Sequence, residues 1–317
     1  MQFPRSSNYH GHLSGFTVVE LLVVMGILSV LVSLIVPAVQ FARETSRVAA
    51  CQNHIRQLAI GCHSFEGVYR RFPPGHVGGD ASDPDDFMSR SWVGHLGFLL
   101  PHLDQAAVYE SLGSARFSFP SDPVGPAWFI DPSSRAIADQ SFVAVFRCPS
   151  DFVIGGEGTI LAVQYPWAVP DSAPVFNSWT NYLGCDGING HNGETAIGTN
   201  PGIFYSRSQV GPRDITDGLS NTLLLGEVLG EASRTSPDKI THKHSFLCGA
   251  VSLVHFGSLE IGSDIGPASS QMFRSRHAGF LNVALADGSG RKLSFDTDAD
   301  VLAAIGTRAG NDVLDEF

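Results

Sequence analysis

Between Gly15 and Val39 the chain reads GFTVVELLVVMGILSVLVSLIVPAV, an apolar run carrying one charge, Glu20. From Phe16 to Val39 is 24 residues, roughly 36 Å of α-helix at ~1.5 Å per residue. That length crosses a hydrocarbon core of about 30 Å. A carboxylate at the centre of such a span costs about 2.5–3.5 kcal/mol, so it needs a reason to be there. Glu20 sits one turn from the start, near the headgroups, where the cost is lower. A cleavable secretory signal fits poorly, because the run exceeds the usual stretch of about 7–15 apolar residues and no small-x-small site follows it. An ordinary signal anchor that tolerates one Glu at its end satisfies the same physics.

Net charge bounds the partners. With 20 basic and 31 acidic residues the chain carries −11. Phosphate binding wants a basic face, so no nucleic-acid partner is expected. A hydrophobic content of 43% supports a buried core, and 34 glycines with 18 prolines imply a head rich in turns. Five cysteines are an odd number, so at least one has no partner within the monomer. No Cys-x-x-Cys or other zinc spacing occurs, and no metal or cofactor is expected.

Beyond the apolar run, Val48, Cys51, Ile55, Leu58, Cys62, Phe65 and Tyr69 recur at spacings of 3, 4, 3, 4, 3 and 4. They form one apolar stripe on a continuing helix. Arg43, Arg47, Gln52, Arg56 and Glu66 occupy the other face. One helix is therefore predicted from about Phe16 to about Tyr69, kinked at Pro37 and ended by Phe72-Pro73-Pro74-Gly75. A Gly/Asp loop follows, then an apolar stretch from Trp92 to Leu103. Asp104 is expected to cap a short helix through Leu112. Residues 113–140 read as a surface excursion. Strands are predicted over Ser141–Arg147, Val175–Leu183, Gly202–Tyr205, Thr222–Val228 and Phe246–Phe256.

The last hairpin is the clearest β signal. Leu281, Val283 and Leu285 alternate, Asp287-Gly288-Ser289-Gly290 turns, and Leu293 and Phe295 alternate again. A two-residue loop would set Val283 opposite Lys292. An odd-length loop sets it opposite Leu293 or Phe295. A three-residue loop with a left-handed glycine is therefore expected.

The amino-terminal pattern resembles type IV prepilins and pseudopilins, with Gly15, Phe16 and Glu20 at the positions of the prepilin-peptidase cleavage and methylation signal. Pilin spines commonly carry a proline where Pro37 stands. The resemblance extends over nearly all of residues 15–311. His277, nine residues and Asp287-Gly288 match the His-x9-Asp-Gly signature of a prepilin-like family of unknown function expanded in planctomycete bacteria. Other stretches are similar to the same family: Arg43-Glu44, Cys51-Gln52-Asn53, Ser91-Trp92, Leu100-Pro101-His102-Leu103-Asp104-Gln105, Cys148-Pro149-Ser150-Asp151, Asn181-Tyr182, Ile215 to Thr222 with Glu227, and Ala304 to Gly310. Two departures occur. Asn53-His54 stands where paired asparagines are usual, and Gly290 where a β-branched residue is common.

The resemblance implies an α+β, pilin-like fold. Its parts are a leader over 1–15, a transmembrane helix over 16–39, an amphipathic stem over 40–72 and a globular head over 73–317 packed on an antiparallel sheet. It implies cleavage after Gly15, methylation of Phe16 and a role for Glu20 in subunit assembly. The implied partners are a prepilin peptidase, other pilin-like subunits and the membrane. The implied place is a single pass of the inner membrane with the head extracytoplasmic. Charge alone argues the other way, since Arg43, Arg47 and Arg56 outnumber Arg5; the resemblance outweighs it because a peptidase on the cytoplasmic face reads the signal. The implied role is a pseudopilin- or minor-pilin-like structural subunit and not an enzyme. The alternative is a membrane-tethered head that binds an extracytoplasmic ligand such as a glycan. Cys51 and Cys148, both in family-like motifs, stand either as a disulfide or as two buried thiols.

Three sets of residues suggest sharper chemistry, and each has a simpler account. His277 and Asp287 lie roughly 33 Å apart if extended at ~3.3 Å per residue, too far for acid–base partnership; the turn accounts for Asp287 and capping of the hairpin's opening for His277. His242 and His244 would share a strand face, where a solvated polar edge is the simpler reading. Asp186, Asn189, Asn192 and Glu194 form an oxygen-rich loop without EF-hand spacing, which reads as a turn.

Overall fold

The computed structural model describes residues 17–78, 89–119, 121, 125–151, 158–160, 174–175, 178–187, 202–229, 231–233, 241–243, 245–247 and 273–310. The architecture is α+β: a long N-terminal helix with a four-stranded antiparallel sheet in the region that follows. The chain divides into two compact units, Met1–Ser46 and Arg47–Phe317, with the boundary inside the first helix.

Helix α1, Val18–Tyr69, is 52 residues long with Pro37 inside it. In the first unit the apolar side chains face outward all round, from Val18 to Phe41. This is the one described helix long and apolar enough to cross a membrane. In the second unit the helix becomes one-sided. Cys51, Ile55, Leu58, Ala59, Cys62 and Phe65 are buried, whereas Ile60 and Val68 are exposed. The predicted stripe holds in its middle; Val48 is half-buried and Tyr69 exposed at its ends.

Helix α2, His95–Leu99, is fully buried and runs into a 3-10 turn over Leu100–Leu103. Asp104 does not cap the following helix. It closes the 3-10 turn in a left-handed conformation, and Gln105 precedes α3, Ala106–Leu112. Residues 113–140 are more than a surface excursion. Phe117, Trp128 and Phe129 are buried there, and α4, Pro132–Gln140, starts on the side chain of Asp131, which accepts from the backbone N–H groups of Ser133 and Ser134. The predicted strand over Ser141–Arg147 is instead a 3-10 turn at Ala144–Phe146. It turns Val143 and Phe146, three residues apart, into the core.

Strands β1 (Gly158–Ile160) and β2 (Pro174–Val175) belong to a short sheet ordered β2-β1-β6-β5, with β5 at Glu231–Ser233 and β6 at Thr241–Lys243. The antiparallel sheet is ordered β3-β4-β7-β8. Its strands are β3 (Tyr182–Gly184), β4 (Leu223–Glu227), β7 (Phe280–Leu285) and β8 (Gly290–Ser294). Strand β4 is buried at every position, as its apolar run TLLLGEV requires. Gly202–Tyr205 is not a strand, although Ile203 and Phe204 are buried. Helix α5, Ala299–Gly306, is capped by Asp298 and follows the sheet.

The β7–β8 hairpin has the expected loop. The Leu285 N–H donates to Ser289 O, leaving Ala286, Asp287 and Gly288 as the connection, and Gly288 is left-handed at φ 85°. The register differs from the expected one: the three-residue loop sets Leu285 against Ser289, so Val283 faces Arg291 and not Leu293 or Phe295, and the apolar cross-strand pair is Leu281 with Leu293.

The stem clamp and a buried cysteine–histidine–glutamate cluster

The stem of α1 is held by the last hairpin and by a covalent bond. Cys51 on the stem and Cys148 beyond the 3-10 turn form a disulfide, with Cα atoms 5.2 Å apart. The Tyr182 hydroxyl donates to Cys51 O at 3.4 Å. At the hairpin tip, a β-carbon on Gly288 would meet His63 Nε2 at 3.2 Å, and one on Gly290 would meet Arg56 Nε at 3.2 Å. A side chain at Gly290 would thus share its space with the exposed side chain of Arg56, which would have to give way. His54, the other departure, bonds through Nδ1 to Arg147 O at 2.8 Å and sits edge-on to Tyr182.

His277 stands at the other end of β7. Its ring stacks on Phe280, 5.4 Å between centroids, and is 2% exposed. Its Nε2 lies 3.6 Å from Cys148 Sγ and 3.4 Å from Glu227 Oε1. The expected capping role misses this burial against the disulfide. The nine-residue spacing now has a physical meaning. Cys51 and His63 are separated by roughly 18 Å of helix at ~1.5 Å per residue. Strand β7, five steps from Phe280 to Leu285, spans roughly 17 Å at ~3.3 Å per residue. His277 meets the disulfide at one end of the strand while Gly288 meets His63 at the other. Asp287 belongs to the turn alone, where its Oδ1 accepts from Ser289 N at 2.8 Å.

Glu227 and Asn282 were invisible as site residues. Glu227, 1% exposed, accepts from the Asn282 backbone N–H at 2.8 Å and from Asn282 Nδ2 at 2.9 Å. A buried carboxylate needs such donors. Its charge also reaches Tyr182, whose hydroxyl is raised well above its usual pKa by burial first and by Glu227 second. On the far side, Asn181 Oδ1 accepts from Cys148 N at 2.8 Å, and Asn181 Nδ2 donates to Asp151 Oδ2 at 2.6 Å. Asp151 in turn pairs with Arg276 at 3.3 Å. Besides the family-like motif that includes Glu227, the signal in the sequence was polarity inside apolar strands: Glu227 closing TLLLGE and Asn282 within FLNVAL.

One ligand atom each from Cys51, Cys148, Glu227 and His277 lie within 4.8 Å of one another, and all four residues are buried. If Cys51 and Cys148 were reduced to thiolates, the four would make a donor set that suits zinc; in this structure the two sulfurs are joined in the disulfide.

The remaining motifs are structural joints. Asp217 Oδ2 accepts from Gly310 N at 2.7 Å and from Thr307 Oγ1 at 3.4 Å. This ties the Ile215–Thr222 segment to the Ala304–Gly310 segment. Thr17 and Glu20 bond reciprocally at the start of α1: Glu20 Oε2 accepts from Thr17 N at 2.9 Å, and Glu20 N donates to Thr17 Oγ1 at 3.2 Å. Gly15 and Phe16 lie outside the described residues, as do His244, Asn189, Asn192 and Glu194. His242 lies on β6, paired in register with Thr159 and Ala232. Asp186 is buried, its carbonyl accepting from Gly202 N at 2.7 Å.

Residues 40–300 match the family described as "Protein of unknown function (DUF1559)", and the chain belongs to that family. No curated protein and no solved structure matches it.

Proposed function

We propose that this member of the DUF1559 family is a pseudopilin- or minor-pilin-like structural subunit of an envelope filament or secretion-type apparatus. In this reading a prepilin peptidase cleaves after Gly15. The mature helix sits once in the inner membrane, and the extracytoplasmic head meets other pilin-like subunits. The role is mechanical and not enzymatic.

The observation that carries the reading is the division of labour within α1. Its first half offers apolar side chains in every direction, the pattern of a helix solvated by lipid or by neighbouring helices. Its second half buries one stripe and is bonded to the head through Cys51. Pull on the head is thereby transmitted to the anchor through a covalent link.

The test concerns Glu20. Its local bond to Thr17 can be exchanged for a partner subunit's amino terminus in an assembly. Glu20→Leu is expected to leave membrane insertion intact and to remove the chain from any envelope complex. Co-fractionation that survives the substitution would overturn the assembly role and favour a membrane-tethered ligand-binding head. Intact mass of the membrane-extracted chain tests processing independently: Gly15→Leu should leave a longer, unmethylated precursor.

A further inference from the structure

We propose that in its thiol form the chain binds one Zn2+ through Cys51, Cys148, His277 and Glu227, in the place of the disulfide. The case is geometric. The four donors converge within 4.8 Å, and tetrahedral coordination with Zn–S bonds of about 2.3 Å sets two sulfurs roughly 3.8 Å apart. The cysteines therefore need only part from bonding distance, without moving their 5.2 Å Cα separation far. The site supplies four protein donors and no open position, which is the arrangement of a structural and not a catalytic zinc.

The surroundings are those of a built site. Asn282 fixes both oxygens of Glu227 through two hydrogen bonds. Asn181 holds the backbone at Cys148, and Phe280 holds the plane of His277. Such outer contacts orient ligands and are felt in affinity. Burial supplies a further argument. Taking Cys51 and Cys148 as thiols leaves two weak donors beside a buried carboxylate; binding Zn2+ releases their two protons and sets the cation against the thiolates and Glu227. Oxidation of the same thiols by a disulfide-exchange partner excludes the metal, because both sulfurs are then consumed in the S–S bond.

The two states share one consequence. Cys51 lies on the stem, Cys148 in the head, Glu227 on β4 and His277 ahead of β7. Metal or disulfide, the stem remains fastened to the sheet. Zinc would hold the clamp wherever oxidation has not yet occurred or has been reversed.

The experiment uses the full chain in detergent, reduced with a phosphine and freed of reductant without oxygen. Zn2+ is titrated against a chromogenic chelator, and Co2+ is used as an optical probe. One equivalent of Zn2+ should bind the reduced chain and none the oxidised chain. Co2+ should show tetrahedral visible bands with thiolate charge transfer. Replacing Cys62, Cys185 and Cys248 together by Ser should leave binding unchanged, and His277→Ala should weaken it at least tenfold. A reduced chain that binds no Zn2+, or binding that persists unweakened in His277→Ala and Cys51→Ser, overturns the proposal. Should either variant fail to fold, the Co2+ spectrum of the natural chain decides: a spectrum without thiolate charge transfer overturns it equally.

Discussion

His277 Nε2 lies 3.6 Å from Cys148 Sγ, buried in the head at the end of β7 opposite the turn that completes the His-x9-Asp-Gly signature. The two ends of that signature do different work. One end packs on the disulfide and faces Glu227; the other bends the hairpin against His63. They share a helix, not a reaction.

Three substitutions in the signature should rank by this division. His277→Ala empties a buried ring site packed against Phe280, Cys148 and Glu227 and should cost about 3 kcal/mol or more. Gly288→Ala forces a β-carbon into a left-handed position 3.2 Å from His63 Nε2 and should cost about 1–2 kcal/mol. Asp287→Ala loses one exposed turn bond and should cost about 0.5–1 kcal/mol. Urea unfolding of the oxidised chain measures all three. A result in which Asp287→Ala is the most damaging would sink the clamp reading of the signature.

The cysteines should separate into two chemical classes. Cys51 and Cys148 close a loop with a sequence separation of 97, so replacing both by Ala should cost about 2–5 kcal/mol. Cys62 and Cys185 are buried thiols. Burial pushes the Cys62 thiol far up and Cys185 up to about 12, helped there by Asp186. Neither forms appreciable thiolate at neutral pH. Iodoacetamide should label neither in the folded chain, and both after denaturation without reductant, while Cys51 and Cys148 stay unlabelled. Peptide mapping reads the outcome; labelling of Cys51 under those conditions would contradict the bond.

The elements legible in the sequence were those whose pattern is local. The 3-and-4 spacing from Val48 to Tyr69 and the alternation around Asp287-Gly288 repeat over enough residues to fix helix and hairpin. Asp104 misled because aspartate suits both an N-cap and a left-handed residue. Val143 and Phe146 looked like part of a strand because a short apolar run fits a buried strand and a buried 3-10 turn alike. Residues 113–140 hid Phe117 and Trp128 behind a polar composition, although Asp131-Pro132 carries a helix-start signal. The cluster itself was half visible. Cys51, Cys148, His277 and Glu227 all stand in motifs of the family resemblance. That Glu227 meets the other three follows from the pairing of β4 with β7, which no local pattern encodes.

Acid should destabilise the head partly through His95. Its ring is fully buried against Phe204, with centroids 4.5 Å apart, and burial pushes its pKa from 6.5 down to about 3. The folded chain keeps this imidazole neutral while the unfolded chain protonates it below pH 6.5. The unfolded state then binds the extra proton, so stability from this group is full above pH 6.5 and falls as pH drops toward 3. The slope is at most about 1.4 kcal/mol per pH unit. His95→Leu should flatten that part of the stability–pH curve. An unchanged slope between pH 6.5 and pH 4 would place the acid sensitivity elsewhere.

The stem helix should behave as two surfaces in one sequence. Ile55 and Leu58 are buried at 1% and 0% exposure, while Ile60 is 64% exposed on the same helix. Truncation of Ile55 or Leu58 to Ala leaves a cavity in the head and should cost about 2–5 kcal/mol. Ile60→Ala should fall within about 0.5 kcal/mol of the natural chain, as surface changes do. The same asymmetry predicts how truncated chains behave. A chain beginning at Pro73 uncovers the partners of Leu58 and Phe65 and loses the bond from Cys51, so it should aggregate or unfold. A chain beginning at Phe41 keeps both and drops the apolar run, so it should stay soluble and unfold cooperatively. Light scattering and urea titration compare the two. A stable, monomeric chain from Pro73 would show that the stem is an attachment to a self-sufficient head, and not part of its core.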